Sequence, residues 1–215
     1  MMSSAGNDWV HGGAGDDNVR WGNNGGTGPI HNIGHDTLIG GNGIDRMSGG
    51  EGDDILQGGY GDDYMIGNAG FDTADYGYSL NGMFISLLSG TAHAGADAAL
   101  DADTLVEIEG VLGSLANDTI YGRDGFDVLH GNSGDDTIVD LAGDDQLFGE
   151  SGDDSIAAGW GADRIDGGDG WDRVTYKEAS SGIIIGLGGS PGIGAEAAGD
   201  ILYNVEEIQG SDFND

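Results

Sequence analysis

The chain has 215 residues, with 39 Asp plus Glu against 6 Lys plus Arg, no Cys, and a formal net charge of −33. That charge argues against nucleic acid or an anionic membrane surface as a partner, and the lack of Cys excludes disulfides and thiolate metal sites. No apolar run approaches the roughly 18 residues of a membrane-spanning helix, and no basic stretch followed by an apolar one marks a cleavable signal at the N-terminus.

In chain order, a nine-residue period dominates. Gly40-Gly41-Asn42-Gly43-Ile44-Asp45-Arg46-Met47-Ser48 is followed by Gly49-Gly50-Glu51-Gly52-Asp53-Asp54-Ile55-Leu56-Gln57 and by Gly58-Gly59-Tyr60-Gly61-Asp62-Asp63-Tyr64-Met65-Ile66. The pattern is G-G-x-G-x-D-x-U-x, where U is a large apolar residue. In a first block, residues 1–76, position 6 holds Asp8, Asp17, Asp36, Asp45, Asp54, Asp63 and Asp72. Position 8 holds Val10, Val19, Leu38, Met47, Leu56, Met65 and Ala74. One unit is broken: Trp21 is extra, Thr27 stands where Asp is due and Pro29 follows, so Asp17 and Asp36 are one residue further apart than two repeats. Residues 77–112 form a spacer, with a strand expected at 83–88, an Ala/Gly/Asp loop, and a second apolar stretch at 103–110. A second block, 113–176, has Asp118, Asp127, Asp136, Asp145, Asp154, Asp163 and Asp172 at position 6. Its apolar column is Ile120, Leu129, Ile138, Leu147, Ile156, Ile165 and Val174. A second spacer, 177–209, echoes the first: Gly182-Ile183-Ile184-Ile185 repeats Gly82-Met83-Phe84-Ile85, and the stretch from Asp200 repeats that from Asp103. Residues 210–215 read as the start of a third, truncated block of a longer protein, with Asn214-Asp215 aligned to Asn117-Asp118.

The period sets an all-β expectation: a right-handed parallel β-roll, or β-helix, of nonapeptide repeats, in two rolls joined by a β-rich spacer. Glycine at positions 1, 2 and 4 permits φ > 0 and lets carbonyls crowd inward. A very short strand follows each turn, pointing position 8 inward and positions 7 and 9 outward. Two turns and two strands make one coil, so turns two repeats apart stack at about 4.8 Å. Carbonyls and carboxylates at these turns are hard oxygen ligands suited to Ca²⁺.

The motif resembles the RTX, or haemolysin-type calcium-binding, repeat family, and the spacers resemble those between its roll blocks and near the roll of serralysin-type proteases. In that family an ion is held by carbonyls at positions 2 and 4 and the Asp at 6 of one turn. Carbonyls at positions 1 and 3 and the Asp at 6 of the turn two repeats on complete the set. Carried over, Asn32, Gly34 and Asp36 pair with Gly49, Glu51 and Asp54; Gly41, Gly43 and Asp45 with Gly58, Tyr60 and Asp63; and Gly50, Gly52 and Asp54 with Gly67, Ala69 and Asp72. In the second block, Ser114, Ala116 and Asp118 pair with Gly131, Ser133 and Asp136, and Arg123, Gly125 and Asp127 with Asp140, Ala142 and Asp145. Asn132, Gly134 and Asp136 pair with Gly149, Ser151 and Asp154, and Leu141, Gly143 and Asp145 with Ala158, Trp160 and Asp163. Last, Glu150, Gly152 and Asp154 pair with Gly167, Asp169 and Asp172. The resemblance thus implies about eight Ca²⁺ ions, whose charge cancels about half of the net −33.

No catalytic constellation is read. His11, His31, His35, His93 and His130 are scattered and there is no H-E-x-x-H. Gly188-Gly189-Ser190-Pro191-Gly192 matches G-x-S-x-G in letters, but Pro191 and Gly192 oppose the helix a nucleophile elbow requires. Trp160, Trp171 and Tyr121 could form a sugar platform, but are read as packing residues. Position 3 has no Thr ladder of the kind an ice-binding face needs. One apolar side chain per repeat is a small core set against nine ordered backbones, so folding is expected to require the ion. The expected role is a calcium-binding stalk module of a larger RTX adhesin or other surface protein, secreted by the type I route and folding outside the cell. The alternatives are the accessory C-terminal region of a secreted metalloprotease, lipase or alginate epimerase, and a calcium-dependent carbohydrate-binding module. Partners expected are calcium ions, cell-surface polysaccharide, or neighbouring repeats of the same protein.

Overall fold

The computed structural model describes residues 9–15, 18–20, 34–95, 102–187 and 189–215. Asp8, Asp17, Asn32 and the broken unit with Trp21, Thr27 and Pro29 lie outside the described residues. The strands are β1 (Trp9–Ala14), β2 (Asn18–Arg20), β3 (Thr37–Asn42), β4 (Arg46–Glu51), β5 (Ile55–Tyr60), β6 (Tyr64–Ala69), β7 (Thr73–Asp75), β8 (Met83–Ser86), β9 (Thr91–Ala94) and β10 (Ala102–Val106). They continue with β11 (Gly110–Leu112), β12 (Thr119–Tyr121), β13 (Val128–Ser133), β14 (Thr137–Val139), β15 (Gln146–Ser151), β16 (Ser155–Ala157), β17 (Arg164–Asp169), β18 (Arg173–Thr175), β19 (Ile201–Tyr203) and β20 (Glu207–Gln209). Ala195–Ala197 is a single 3₁₀ turn, and no α-helix occurs among the described residues.

Two compact units result, Met1–Tyr78 with Ser89–Val111, and Ser79–Leu88 with Leu112–Asp215. In the first, β1, β3, β5 and β7 form one parallel wall and β2, β4, β6 and β10 the other, with β9 antiparallel to β10. In the second, β13, β15, β17 and β19 form one parallel wall and β8, β12, β14, β16, β18 and β20 the other. Each is the parallel β-roll that the period dictates. Leu38 lies beside Leu56, Met47 beside Met65, Leu129 beside Leu147 and Ile138 beside Ile156, each a step of two repeats. Position 8 fills the core: Leu38, Leu56, Met65, Ala74, Ile120, Leu129, Ile138, Leu147, Ile156, Ile165 and Val174 are fully buried and Met47 nearly so.

Four expectations need correction. First, the strands are not all short. β3 to β6 run six residues, through positions 7–9 of one repeat and 1–3 of the next. Strands of three residues also occur in block 2, where β12 is followed by Gly122-Arg123-Asp124, β14 by Asp140-Leu141-Ala142 and β16 by Ala158-Gly159-Trp160. Second, Trp9 pairs with Thr37 and Asn18 with Arg46. This step is longer than the usual coil by one repeat and one residue. β1 therefore lies beside β3 and β2 beside β4 at this longer step.

Third, glycine at position 1 does not serve a positive φ. Positive values fall at position 2, as in Gly41 (124°), Gly50 (126°) and Gly59 (107°), and at position 4, as in Gly43 (125°) and Gly61 (128°). Asn68, Asn132 and Glu150 hold position 2 at 75–79°, and the Glu150 carboxylate reaches His130 Nδ1 at 2.6 Å. Position 1 is glycine because a Cβ there would strike the Asp at position 6. Fourth, residues 183–186 do not form the strand that β8 forms. β8 is held by its ladder with β12, whereas Ile184 makes only an isolated antiparallel bridge to Ile193 and is 69 % exposed.

Candidate metal centre

The position 6 aspartates form buried columns. Asp36, Asp45, Asp54, Asp63 and Asp72 in the first unit, and Asp118, Asp127, Asp136, Asp145, Asp154, Asp163 and Asp172 in the second, are at most 3 % exposed. Their polar atoms follow one rule. The backbone N–H of each donates to Oδ1 of the Asp 18 residues on, at 2.7–2.9 Å, for 36 to 54, 45 to 63, 54 to 72, 118 to 136, 127 to 145, 136 to 154, 145 to 163 and 154 to 172. Backbone carbonyls are used too: those of Asp36, Asp45, Asp54, Asp118, Asp127 and Asp136 accept the N–H of Ile55, Tyr64, Thr73, Thr137, Gln146 and Ser155.

One atom is left over. Oδ2 of Asp45, Asp54, Asp63, Asp72, Asp136, Asp140, Asp145, Asp154, Asp163 and Asp172 is buried with no hydrogen-bond partner. Carbonyls face several of these oxygens. A Cβ on Gly40 would lie 2.4 Å from Asp45 Oδ2 and 2.5 Å from the Gly58 carbonyl; on Gly131, 2.4 Å from Asp136 Oδ2 and 2.8 Å from the Gly149 carbonyl; on Gly149, 2.2 Å from Asp154 Oδ2 and 2.4 Å from the Gly167 carbonyl. Each glycine leaves open a corner where a carboxylate oxygen and a carbonyl of the next coil converge. Gly149→Ala should therefore cost about 1–3 kcal/mol by overpacking, seen as a thermal midpoint lowered by about 2–4 °C per kcal/mol in saturating calcium. An unchanged midpoint would refute this role for position 1.

A buried carboxylate lacking a partner is untenable as a bare charge. Burial accordingly pushes the carboxyls of Asp54, Asp127 and Asp154 up to about 6, Asp72 to about 7 and Asp136 to about 8, against the pull of the backbone N–H each accepts. Asp140 and Asp145 form a tightly coupled pair, both raised mainly by burial, because Asp140 stands at position 1 where the pattern has glycine. Such corners fit a hard divalent cation taking oxygen ligands. No group of three or more His, Cys, Asp or Glu side chains converges among the described residues, so the donors are one or two carboxylates with backbone carbonyls.

Two of the expected corners differ. Asp118 Oδ2 accepts the Ser114 N–H, and its Oδ1 accepts from Ser114 Oγ and the Met83 N–H. Asp127 is held by the Arg123 N–H at 2.8 Å and by Arg123 Nε at 3.3 Å, which brings a positive charge to that turn. Of the expected carbonyl donors, those of Glu51, Tyr60, Ala69, Ala142, Ser151, Trp160 and Asp169 each accept the position 4 N–H of the turn one coil earlier, leaving their second lone pair for another contact. Trp160 and Trp171 do not pack as expected, being 52 % and 59 % exposed, whereas Tyr121 lies against Phe84 at 5.5 Å.

The RTX calcium-binding nonapeptide repeat matches four times, over residues 1–26, 39–74, 112–139 and 140–174, more than half of the chain. The chain belongs to the RTX calcium-binding repeat family. No curated protein matches it in sequence. It is a calcium-binding module of an RTX protein, and its repeat region is structural rather than catalytic. Among the described residues no helix is long and apolar enough to cross a membrane.

The RTX columns end at residues that the period did not mark. The Asp63 N–H donates to Asp103 Oδ1 at 2.9 Å, and Asp103 Oδ2, the atom left over in an ordinary column member, accepts the Tyr76 hydroxyl at 2.9 Å. The second unit repeats this cap, with the Asp163 N–H on Asp200 Oδ1 at 3.0 Å and the Tyr176 hydroxyl on Asp200 Oδ2 at 2.7 Å. The echo between the two spacers was the signal, since it superposes Asp103 on Asp200 and Tyr76 on Tyr176. Each of these four residues is at most 4 % exposed. Tyr76→Phe or Tyr176→Phe should thus cost about 1–3 kcal/mol by orphaning a buried oxygen, measurable by urea unfolding in calcium. A loss under about 0.5 kcal/mol, the range of an ordinary surface substitution, would mean that the hydroxyl does not close the column.

Proposed function

We propose that this chain is a calcium-rigidified extender of a larger secreted or cell-surface RTX protein, exported unfolded by the type I route and folded by Ca²⁺ outside the cell. The reading assigns two roll blocks, 1–76 and 113–176, spacers at 77–112 and 177–209, and about eight ions at the corners named from the repeat. Asp54, Asp136, Asp145 and Asp154 would each serve two ions. When bound, Ca²⁺ supplies the positive charge that the buried carboxylates lack. The protein's own part is to present Oδ2 and carbonyls at the corners whose Oδ2 is unpartnered and to hold Asp54, Asp63, Asp72, Asp136, Asp145, Asp154, Asp163 and Asp172 by an N–H to Oδ1.

The observation that carries this reading is the recurrence of one roll with one cap, Tyr76 with Asp103 and Tyr176 with Asp200. A unit that closes its own columns can be repeated along a stalk, since each copy is complete as a structure. Optical-tweezers stretching of the chain tests it. In calcium, unfolding is expected in two discrete steps; in chelator, the chain should extend smoothly from the lowest forces. A force curve indifferent to chelator would overturn the proposal.

A further inference from the structure

The caps at Asp103 and Asp200 close one column of each unit. The other column ends differently. The Asp72 N–H, which has no repeat Asp one coil further on, donates to Glu109 Oε2 at 3.0 Å. Its Oδ2 is fully buried and has no hydrogen-bond partner. A Cβ on Gly67 would fall 2.4 Å from Asp72 Oδ2 and 2.1 Å from the carbonyl oxygen of Glu107. That is the arrangement found around Gly40, with Glu107 in place of Gly58. Glu107 turns its carbonyl there by adopting φ = 54°, which few side chains take.

The second unit does the same with different residues. The Asp172 N–H donates to Glu206 Oε2 at 2.9 Å. Asp172 Oδ2 is buried and unpartnered, and a Cβ on Gly167 would lie 2.7 Å from it and 2.1 Å from the Asn204 carbonyl. Asn204 has φ = 48°. Glu107 and Asn204 differ in side chain but share this backbone conformation and a carbonyl turned to the same corner. Their common feature is therefore the oxygen they deliver. Glutamate is one methylene longer than the repeat's aspartate, and in both copies it accepts the N–H that a repeat Asp would have accepted.

We propose that each spacer completes a further Ca²⁺ site at its junction with the roll, from Asp72, the Glu107 carbonyl and Glu109 in one unit and Asp172, the Asn204 carbonyl and Glu206 in the other. The proposal rests on the calcium-loaded roll above and adds two ions to its corners. Each spacer then ends one column with a tyrosine hydroxyl and the other with a cation.

Crystals of the whole chain soaked in Tb³⁺ test it through anomalous scattering. Peaks are expected at the interior corners and also about 2.3–2.6 Å from Asp72 Oδ2 and Asp172 Oδ2. Interior peaks, those shared by Asp54 with Asp72 and by Asp154 with Asp172 included, with none beside the Glu107 and Asn204 carbonyls would overturn this inference and leave the proposed function standing; no peaks at all would overturn both. Native mass spectrometry gives a second reading. The double variant Glu109→Gln with Glu206→Gln keeps an oxygen for each N–H, so the roll should still fold, and should carry two fewer Ca²⁺ ions than the parent chain. An unchanged ion count would likewise refute the junction sites.

Discussion

Stripped of Ca²⁺ by a chelator at pH 7–8, the chain should lose most of its β-sheet circular dichroism and recover it when calcium is restored. The cause is the set of buried Oδ2 atoms without partners. Each must be neutralised by a cation or a proton, or be released to water by unfolding. A protein stable by only about 5–15 kcal/mol cannot hold ten such atoms at about 1–3 kcal/mol each, more if charged. Acid should replace the metal in part. The folded pKa values of Asp54, Asp127, Asp154, Asp72 and Asp136, about 6 to about 8, lie above the roughly 3.9 of an unfolded Asp. A raised acid pKa means that the folded state binds the proton more tightly. Its stabilisation is fully present below about pH 4 and is lost as pH rises through 6 to 8. In chelator, β signal should therefore grow on acidification from pH 8 to pH 4. In calcium the trend reverses, because protons compete for the same oxygens. A full β signal in chelator at pH 8 would contradict the whole scheme.

Asp136→Ala should unfold the second unit at calcium concentrations that keep the parent chain folded, while Asp135→Asn beside it should do little. Asp136 is buried and accepts the Asp118 N–H at 2.7 Å, and its Oδ2 faces the corner shared with the Gly149 carbonyl. Removing it orphans a buried N–H and withdraws a carboxylate from two adjacent corners. Breaking a buried charge pair costs about 3–5 kcal/mol, so the calcium midpoint should rise by more than tenfold. Asp135 is exposed, and its Oδ1 accepts the Asp153 N–H at the surface; its change should stay within about 0.5 kcal/mol. Asp136→Asn separates the two losses, since its amide oxygen can still take the Asp118 N–H. It should fall between the others. Equal effects at 135 and 136 would remove the distinction between the two aspartates.

The roll, its apolar column and its aspartate column were legible because all three follow contacts at one constant separation. A period of nine states directly that Leu38 meets Leu56 and that Asp36 meets Asp54. The end caps were not legible, because Asp63 reaches Asp103 across 40 residues and Asp72 reaches Glu109 across 37. Nothing in the period encodes those distances; only the echo between spacers hinted at them. Glycine at position 1 was read as a matter of backbone angle, when the reason is an oxygen further along the same turn, as Gly40 and Asp45 show. The longer step from β1 to β3 and from β2 to β4 was also hidden, since the sequence shows the broken repeat but not which strands pair on either side of it.

The carboxylate hydrogen bonds of the aspartate columns run one way, from a backbone N–H to an Oδ1 one coil later in the chain, while the backbone carbonyls of the same aspartates accept from the coil that follows. A roll of this kind has polarity, like a filament with unlike ends. Cutting back from the C-terminal side takes carboxylates away from buried aspartate N–H groups that remain, whereas cutting back from the N-terminal side takes only backbone carbonyls away from the strands that remain, as the Asp36 carbonyl from the Ile55 N–H. Equal truncations from the two sides should not be equally tolerated, and a growing roll is completed by sequence that comes after it.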